Sequence, residues 1–181
     1  ASFYGDIKLE SEVAKIVEAL PNHPLAIYWK AYLHRSNNTK ANELLNKANS
    51  ASTLLIFPFR TSFIPILQWA AQNSTSWKPN YYLALLLHDK NKKAAALQMV
   101  TALGSTPTDA HFYGLRAVWN TRNTSTKELD LQKAIQLEPV AWRYQKLLVQ
   151  HYLQTKNYDK ALVVAEKFKI QSAQENFIMD M

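Results

Sequence analysis

Apolar residues recur at the spacing of an α-helix through most of the chain. Val13, Ile16, Val17 and Leu20 stand at positions i, i+3, i+4 and i+7, so they share one helical face, and Pro21 ends that helix. The same pattern predicts further helices over residues 25–33, 39–49, 61–70, 79–87, 92–103, 109–120, 126–137, 140–154 and 158–168. The chain is therefore predicted to consist of helices joined by short connections.

The predicted connections carry residues that start or stop helices. Thr61 can cap a helix, Pro79 suits a first helical turn, and Gly104 is a left-handed terminator. The polar stretch 120–126 is longer than the equivalent turns, and we expect it to bulge outward as a loop. The apolar stretch 53–59 contains a proline and precedes a helix, so we interpret it as an extended, buried connector.

Two parts of the sequence repeat each other. Trp77 and Trp142 lie 65 residues apart (142 − 77). Each is followed by a base, then by a leucine six positions on and by an Ala-Leu pair nineteen positions on: Lys78 and Arg143, Leu83 and Leu148, Ala96-Leu97 and Ala161-Leu162. The separation is close to twice the roughly 33 to 34 residues of a helical repeat, so a further unit is expected between the two copies.

The last unit resembles a tetratricopeptide repeat (TPR). Leu148, Tyr152, Tyr158, Ala161 and Leu162 stand where that repeat places its leucine, its tyrosine, its second-helix aromatic and its small crossing residue. An earlier unit keeps four of these places, and the middle unit keeps three and departs at one: Leu83, Leu87, Ala96 and Leu97, then Leu131, Ala134 and Pro139, with Lys127 as the departure. The resemblance implies an all-α fold, a right-handed superhelical solenoid of TPR-like antiparallel helix pairs.

The same resemblance implies one helical-repeat domain over residues 1–181. Its units would run near 6–36, 39–73, 77–104, 107–138 and 140–170, with a further helix starting over 173–181. Several short motifs also resemble the repeat region of large, uncharacterised bacterial proteins in which a sugar-enzyme-like β-sandwich part precedes the repeats: 57–60, 77–85, 112–117, 130–134 and 142–144. This wider resemblance implies that the sequence is a piece of a longer chain.

Composition narrows the classes of site. The absence of cysteine excludes disulfides and thiolate metal sites, and three glycines are too few for a glycine-rich phosphate loop. The sequence has no apolar run near the roughly 18 residues of a membrane span, so we expect no membrane insertion and a soluble protein. Bacterial cytoplasm and periplasm remain open as compartments.

Catalytic machinery is not expected. The histidines show no metal-ligand spacing: His23, His34, His88, His111 and His151. The close acidic pairs, Glu10 with Glu12 and Glu128 with Asp130, have no base or nucleophile nearby in sequence, and we interpret them as helix-surface charge. We therefore expect a protein that is not an enzyme and uses no metal or cofactor.

Binding is the favoured function. In TPR arrays the first helix of each unit lines a groove, and the resemblance implies that Lys78, His111 and Arg143 lie near the start of such helices. With Tyr81 and Lys146 they form the candidate ligand-binding set, and their charge suits an acidic peptide or carboxylate. The carboxylate clamp known in this repeat class is not expected, because its asparagines are replaced, by Leu85 and Val118.

The favoured interpretation is a protein-binding scaffold whose partner is a separate protein or the rest of its own chain. Two other functions stay open. Residues 44–127 hold nine bases against two acids, which would suit RNA, although a solvated surface explains the excess more simply. An accessory carbohydrate-related module would use tryptophans as a stacking platform, whereas we interpret all five as packing residues: Trp29, Trp69, Trp77, Trp119 and Trp142. Arg60, Arg116 and Arg143, near aromatics, are interpreted as pinning turns to carboxylates or carbonyls.

Overall fold

The computed structural model describes residues 22–121 and 123–167, and all the regular structure in them is helical. The helices are α1 Pro24–Leu33, α2 Asn38–Ser50, α3 Phe63–Gln72, α4 Lys78–Asp89, α5 Lys93–Ala102, α6 Ala110–Trp119, α7 Thr124–Leu137 and α8 Trp142–Gln154, and residues 158–167 are helical as well. The predicted all-α class is confirmed. The helices predicted over 13–20 and 173–181 lie outside the described residues.

The chain divides into two compact units, residues 1–106 and 107–181. In the first unit α1 packs on α2 and α3, α3 on α4, and α4 on α5. In the second unit α6 packs on α7, and α7 on α8. Within each unit the helices thus pack on partners one or two positions away in sequence, which is the arrangement of a helical repeat. The single domain predicted over 1–181, with its repeat boundaries, stays a prediction.

Small residues at the helix crossings are completely buried. Alanines fill these places in both units: Ala31, Ala48, Ala70, Ala84 and Ala96 in the first, Ala117 and Ala134 in the second. Around them the first unit packs large aromatics such as Tyr28, whose hydroxyl donates to Asn49 Oδ1 at 2.6 Å. Asn49 Nδ2 donates onward to Ser74 Oγ at 3.2 Å, so this side chain ties α1 and α2 to the turn before α4.

Asparagines begin two of the helices. The side-chain oxygens of Asn37 and Asn123 accept hydrogen bonds from the backbone amides of Lys40 and Thr126, each at 3.1 Å. Such capping satisfies amides that have no partner within the helix. Since Asn123 caps α7, that helix starts before Thr126, and the predicted 120–126 loop is shorter than expected.

Two further start and stop signals have different outcomes. Gly104 follows the end of α5 with φ of 57°, so its predicted left-handed role is confirmed. Thr61 was predicted to cap α3, but Ser62 takes the N-cap position and makes no side-chain cap bond.

The connector between α2 and α3 is an irregular loop with a turn at residues 54–55, and it is largely exposed, contrary to the predicted extended and buried connector. Thr53 and Pro58 are buried, whereas the large apolar side chains between and beside them face solvent, with exposures of 68% for Leu54, 79% for Leu55, 53% for Phe57 and 64% for Phe59. Pattern alone could not reveal this, because an apolar run carries no information on what covers it. We call residues 54–59 the apolar loop.

An ion pair between α6 and α7 is nearly buried. Arg116 donates to both carboxylate oxygens of Asp130, at 2.8 and 2.6 Å, and the two side chains are only 14% and 8% exposed. The same guanidinium lies over the rings of Phe112 and Tyr113, 5.0 and 5.3 Å from their centroids. The interpretation of Asp130 as surface charge is therefore wrong, whereas the structural role predicted for Arg116 agrees with the structure. Glu10 and Glu12 lie outside the described residues.

Gly114 in α6 permits a close approach by α8. A Cβ atom at this position would collide with ring carbons of Tyr144. Glycine is otherwise costly inside a helix, so its presence here is explained by the aromatic ring that rests on the backbone. Farther along α8, Leu148 and Tyr152 join a core cluster completed by Ala117, Leu131 and Ala161.

Candidate functional site

The first turns of α8 present a tryptophan and two cations to solvent. Trp142 opens the helix, Arg143 follows, and Lys146 comes one turn later, which puts all three at the same end of α8. Trp142 is 57% exposed, so the interpretation of this tryptophan as a packing residue is wrong. The Lys146 amino group lies 5.6 Å from the centroid of its ring, in a cation–π contact.

An open, mainly apolar pocket of about 420 Å³ lies beside this tryptophan. It is formed between α8 and the helical residues 158–167, with a lining of Trp142, Gln145, Lys146, Val149, Gln150 and Ala165. The pocket thus has an aromatic wall, an ammonium group at its edge and an aliphatic side. Sequence reasoning found Lys146 but missed Gln145 and Val149, since the pocket depends on how two helices splay.

Arg143 is half exposed and held by two neighbours. Its guanidinium donates to Glu138 Oε2 at 2.7 Å and to the Tyr144 hydroxyl at 2.9 Å. The hydrogen bond to Tyr144 raises the pKa of Arg143, and the negative charges of Glu138 and Asp109 act in the same direction. The predicted contact with a carboxylate is therefore present in Glu138, and it fixes where the cation stands.

His111 starts α6 in the same unit as Arg143. Its backbone amide donates to Asp109 Oδ1 at 2.7 Å, so Asp109 caps the helix. A Cβ atom at Gly114, three residues after His111, would meet the ring of Tyr144, so the first turns of α6 and α8 are neighbours. The structure thus brings the His111 end of α6 close to Arg143 within the second unit.

Lys78 and Tyr81 belong to the first unit, in α4. The Lys78 amino group donates to the backbone oxygen of Ala51, the residue that ends α2, where a cation is favourable. Tyr81 is 1% exposed, and its ring centroid lies 5.5 Å from that of Trp77 and 5.7 Å from that of Tyr82. The surface described above is built without these two residues.

A second group of polar side chains joins α7 to the last described helix. Glu128 Oε1 accepts from the Tyr152 hydroxyl at 2.9 Å and from the Lys160 amino group at 3.0 Å. The hydrogen bond from Lys160, followed by that from Tyr152, lowers the pKa of Glu128 against the effect of burial. Glu128 and Lys160 lie 32 residues apart, close to one repeat length, so this contact joins the second helices of successive units. The interpretation of Glu128 as simple surface charge is wrong.

A wider cavity of about 520 Å³ lies between α7, α8 and residues 158–167. Its lining includes Ile135, Leu148 and Val164, with Gln145 on one side. The Gln145 amide donates to the backbone oxygen of Pro139 at 2.9 Å, so this polar group is already satisfied within the fold. Among the described residues no cluster of three or more potential metal ligands occurs. Within that same part of the chain, no helix combines the length and hydrophobicity needed to cross a membrane.

No family model matches the sequence, and neither does any curated protein. Solved structures do match. Residues 41 to the end of MamA from Desulfovibrio magneticus RS-1 align with 91% of this chain and 86% of their own, with a TM-score of 0.53 and 14% identity. The ArsTM double mutant of MamA RS-1 aligns with 93% of this chain and 96% of its own, with a TM-score of 0.57 and 16% identity. Both neighbours are TPR-like, so the likeness establishes a TPR-like helical-repeat fold, and at these identities it establishes the fold alone.

Proposed function

We propose that this chain is a non-catalytic, TPR-type binding module that recognises an acidic, partly apolar segment of a protein. The segment belongs to a separate partner or to another part of the same longer protein. The observation that carries the proposal is the exposed Trp142 with the Lys146 ammonium over its ring, at the edge of an apolar pocket. We call Trp142, Arg143, Lys146 and this pocket the α8 surface.

The chemistry of the α8 surface supports such a ligand. Exposed tryptophan and arginine are the residues that most often supply binding energy at protein interfaces, since they combine large contact area with hydrogen bonding. An aliphatic or aromatic side chain of the ligand would fill the pocket against Trp142 and Val149. A neighbouring carboxylate would pair with Lys146, which is exposed and is held near the ring by a contact weaker than an ion pair.

Arg143 adds a second cation to the α8 surface, and His111 lies in the first turn of α6. Arg143 is 50% exposed, so a ligand carboxylate can approach the guanidinium or compete with Glu138 for it. The proposed role of His111 rests on the approach of α6 to α8, where Gly114, three residues after His111, meets the ring of Tyr144 beside Arg143. Lys78 and Tyr81, which belong to the first unit, are not part of the proposed site, because Lys78 is engaged with Ala51 and Tyr81 is buried.

The described contacts favour a protein ligand over RNA. Two of the nine bases in residues 44–127 are engaged inside the fold, Lys78 with Ala51 and Arg116 with Asp130, and Lys90 is paired with its neighbour Asp89 at the surface. A sugar ligand is less well supported, because the Lys146 ammonium occupies space over the Trp142 ring on which a sugar would stack.

Fluorescence anisotropy with a labelled peptide of glutamates and leucines tests the proposal. We expect saturable binding, loss of binding when the glutamates are replaced by glutamines, and about tenfold weaker binding for Lys146→Glu. Lys133→Glu, on α7 and outside the α8 surface, is the matched control and should bind as the unaltered protein does. Equal affinity for both peptides, or equal weakening by both substitutions, would remove the α8 surface as the site.

A further inference from the structure

The apolar loop is a built feature rather than a frayed connection. The buried Thr53 and Pro58 anchor it to the first unit. Within it, the backbone amide of Leu54 donates to Ser52 Oγ at 3.1 Å, and that of Ile56 donates to the Thr53 oxygen at 3.2 Å. These turns hold the large apolar side chains outward instead of letting them collapse onto the helices.

Leu55 is the clearest case of an apolar side chain of the loop held in solvent. It is the most exposed large hydrophobic residue of the described chain, at 79%, and its φ of 59° lies in the left-handed region. Residues other than glycine, asparagine and aspartate rarely adopt this backbone conformation. A leucine here is therefore unfavourable both because of its backbone conformation and because its apolar side chain is in water. Contiguous exposed apolar groups of this kind mark contact with a partner or a membrane.

The sequence on both sides of the apolar loop carries bases and no acids. The sequence has no acidic residue between Glu43 and Asp89, while Lys47, Arg60 and Lys78 lie in this stretch. Lys78 donates to the Ala51 oxygen, just before the loop. Arg60 closes the loop with its guanidinium 5.5 Å from the centroid of the Phe59 ring.

We propose that the apolar loop attaches this protein peripherally to an anionic lipid surface. Leu54, Leu55, Phe57 and Phe59 would enter the boundary between headgroups and acyl chains, while Arg60 and Lys47 would remain among the phosphates. Stable peripheral attachment needs two such signals, an apolar one and a basic one, and this segment supplies both. The contact is shallow and involves no membrane-spanning helix.

A lipid surface fits these residues better than a protein groove. The four exposed side chains come from an irregular loop and do not form the periodic stripe that a protein groove reads from a helix or strand. A bilayer accepts apolar side chains without matching their shape, and anionic headgroups complement a stretch that lacks acids. The α8 surface plays no part in this attachment.

Co-sedimentation with vesicles of phosphatidylcholine, with or without phosphatidylglycerol, tests the proposal. We expect binding to the anionic vesicles that weakens as salt rises, and about tenfold weaker partitioning for Leu55→Asn. Asparagine tolerates the left-handed conformation, so this variant should keep its fold, which its thermal unfolding will show. Leu129→Asn, at a position 64% exposed on α7, is the matched control and should leave vesicle binding unchanged.

A fluorescent probe attached to the apolar loop reports whether the loop enters the lipid. Because the chain has no cysteine, Leu55→Cys and Leu129→Cys each give a single site for an environment-sensitive dye. Anionic vesicles should shift the emission of the dye at position 55 to the blue and leave that at position 129 unchanged. Absence of vesicle binding, equal loss for both asparagine variants, or a shift produced only by added protein and never by lipid would overturn the proposal, the last in favour of a protein partner.

Discussion

Asp130→Ala should lower the free energy of unfolding by about 3 to 5 kcal/mol, the usual cost of removing one partner from a buried ion pair. The substitution leaves the Arg116 guanidinium, only 14% exposed, without the carboxylate that now accepts two hydrogen bonds from it. For a chain of 181 residues this loss corresponds to a fall in Tm of roughly 6 to 20 °C.

Urea unfolding followed by circular dichroism measures this effect, and an exposed ion pair supplies the control. The side chains of Lys40 and Glu43 are 45% and 67% exposed, so Glu43→Ala should cost no more than about 0.5 kcal/mol. Replacing both buried partners, by Arg116→Met with Asp130→Leu, should cost less than Asp130→Ala alone, because no buried charge is then left unpaired. If Asp130→Ala costs no more than Glu43→Ala, the ion pair does not hold α6 to α7 as argued.

Substitutions test three further local features by the same unfolding measurement. Gly114→Ala should destabilise the fold by about 1 kcal/mol, because an overpacking cost of about 1 to 3 kcal/mol against Tyr144 exceeds a helix-propensity gain of about 1 kcal/mol. Adding Tyr144→Leu should recover stability. If Gly114→Ala alone stabilises the fold, the contact is contradicted. Gly104→Ala should cost about 1 kcal/mol at its φ of 57°, and Gly104→Asn less; equal costs would argue against the left-handed cap. Hydrogen bonding from Lys160 lowers the folded-state pKa of Glu128, so its contribution is present above the unfolded pKa and is lost as pH falls through the folded pKa. Glu128→Gln should therefore flatten the acid-side dependence of stability, and parallel profiles would refute this.

The fold followed from the sequence because each helix carries its own signals. Apolar spacing placed the helices, the 65-residue repeat indicated their pairing, and Gly104 stopped α5 where expected. Where a helix begins at a different residue than predicted, the cause is local. Asn123 accepts a hydrogen bond from the Thr126 amide and caps α7, which therefore begins earlier than the apolar pattern alone indicates.

Tertiary burial was harder to predict than local structure. The apolar loop and Trp142 look like core by composition, yet both are exposed, because composition does not determine whether another element packs over a residue. Asp130 looks like surface by its chemistry, yet it is buried, because Arg116 reaches it from the preceding helix. The type of a residue determines its preference for water, whereas its exposure depends on which elements pack against it in the fold.

In the candidate site, too, positions along the helices were predictable and contacts between helices were not. Arg143 was a candidate because the repeat resemblance places it at the start of a first helix, and the structure has Arg143 and Lys146 in the first two turns of α8. The engagement of Lys78 with Ala51 and the pocket beside Trp142 were not foreseeable, since each depends on the exact approach of two helices.

The central claim, that the α8 surface binds an acidic and apolar peptide, is tested most directly at the indole of Trp142. The chain has five tryptophans, so the indole region of a ¹⁵N–¹H spectrum holds few signals, and Trp142→Phe identifies the one that matters. Titration with the glutamate–leucine peptide should move the Trp142 signal progressively to saturation, while the signal of the buried Trp29 stays in place. A peptide that binds without moving the Trp142 signal would contradict the account.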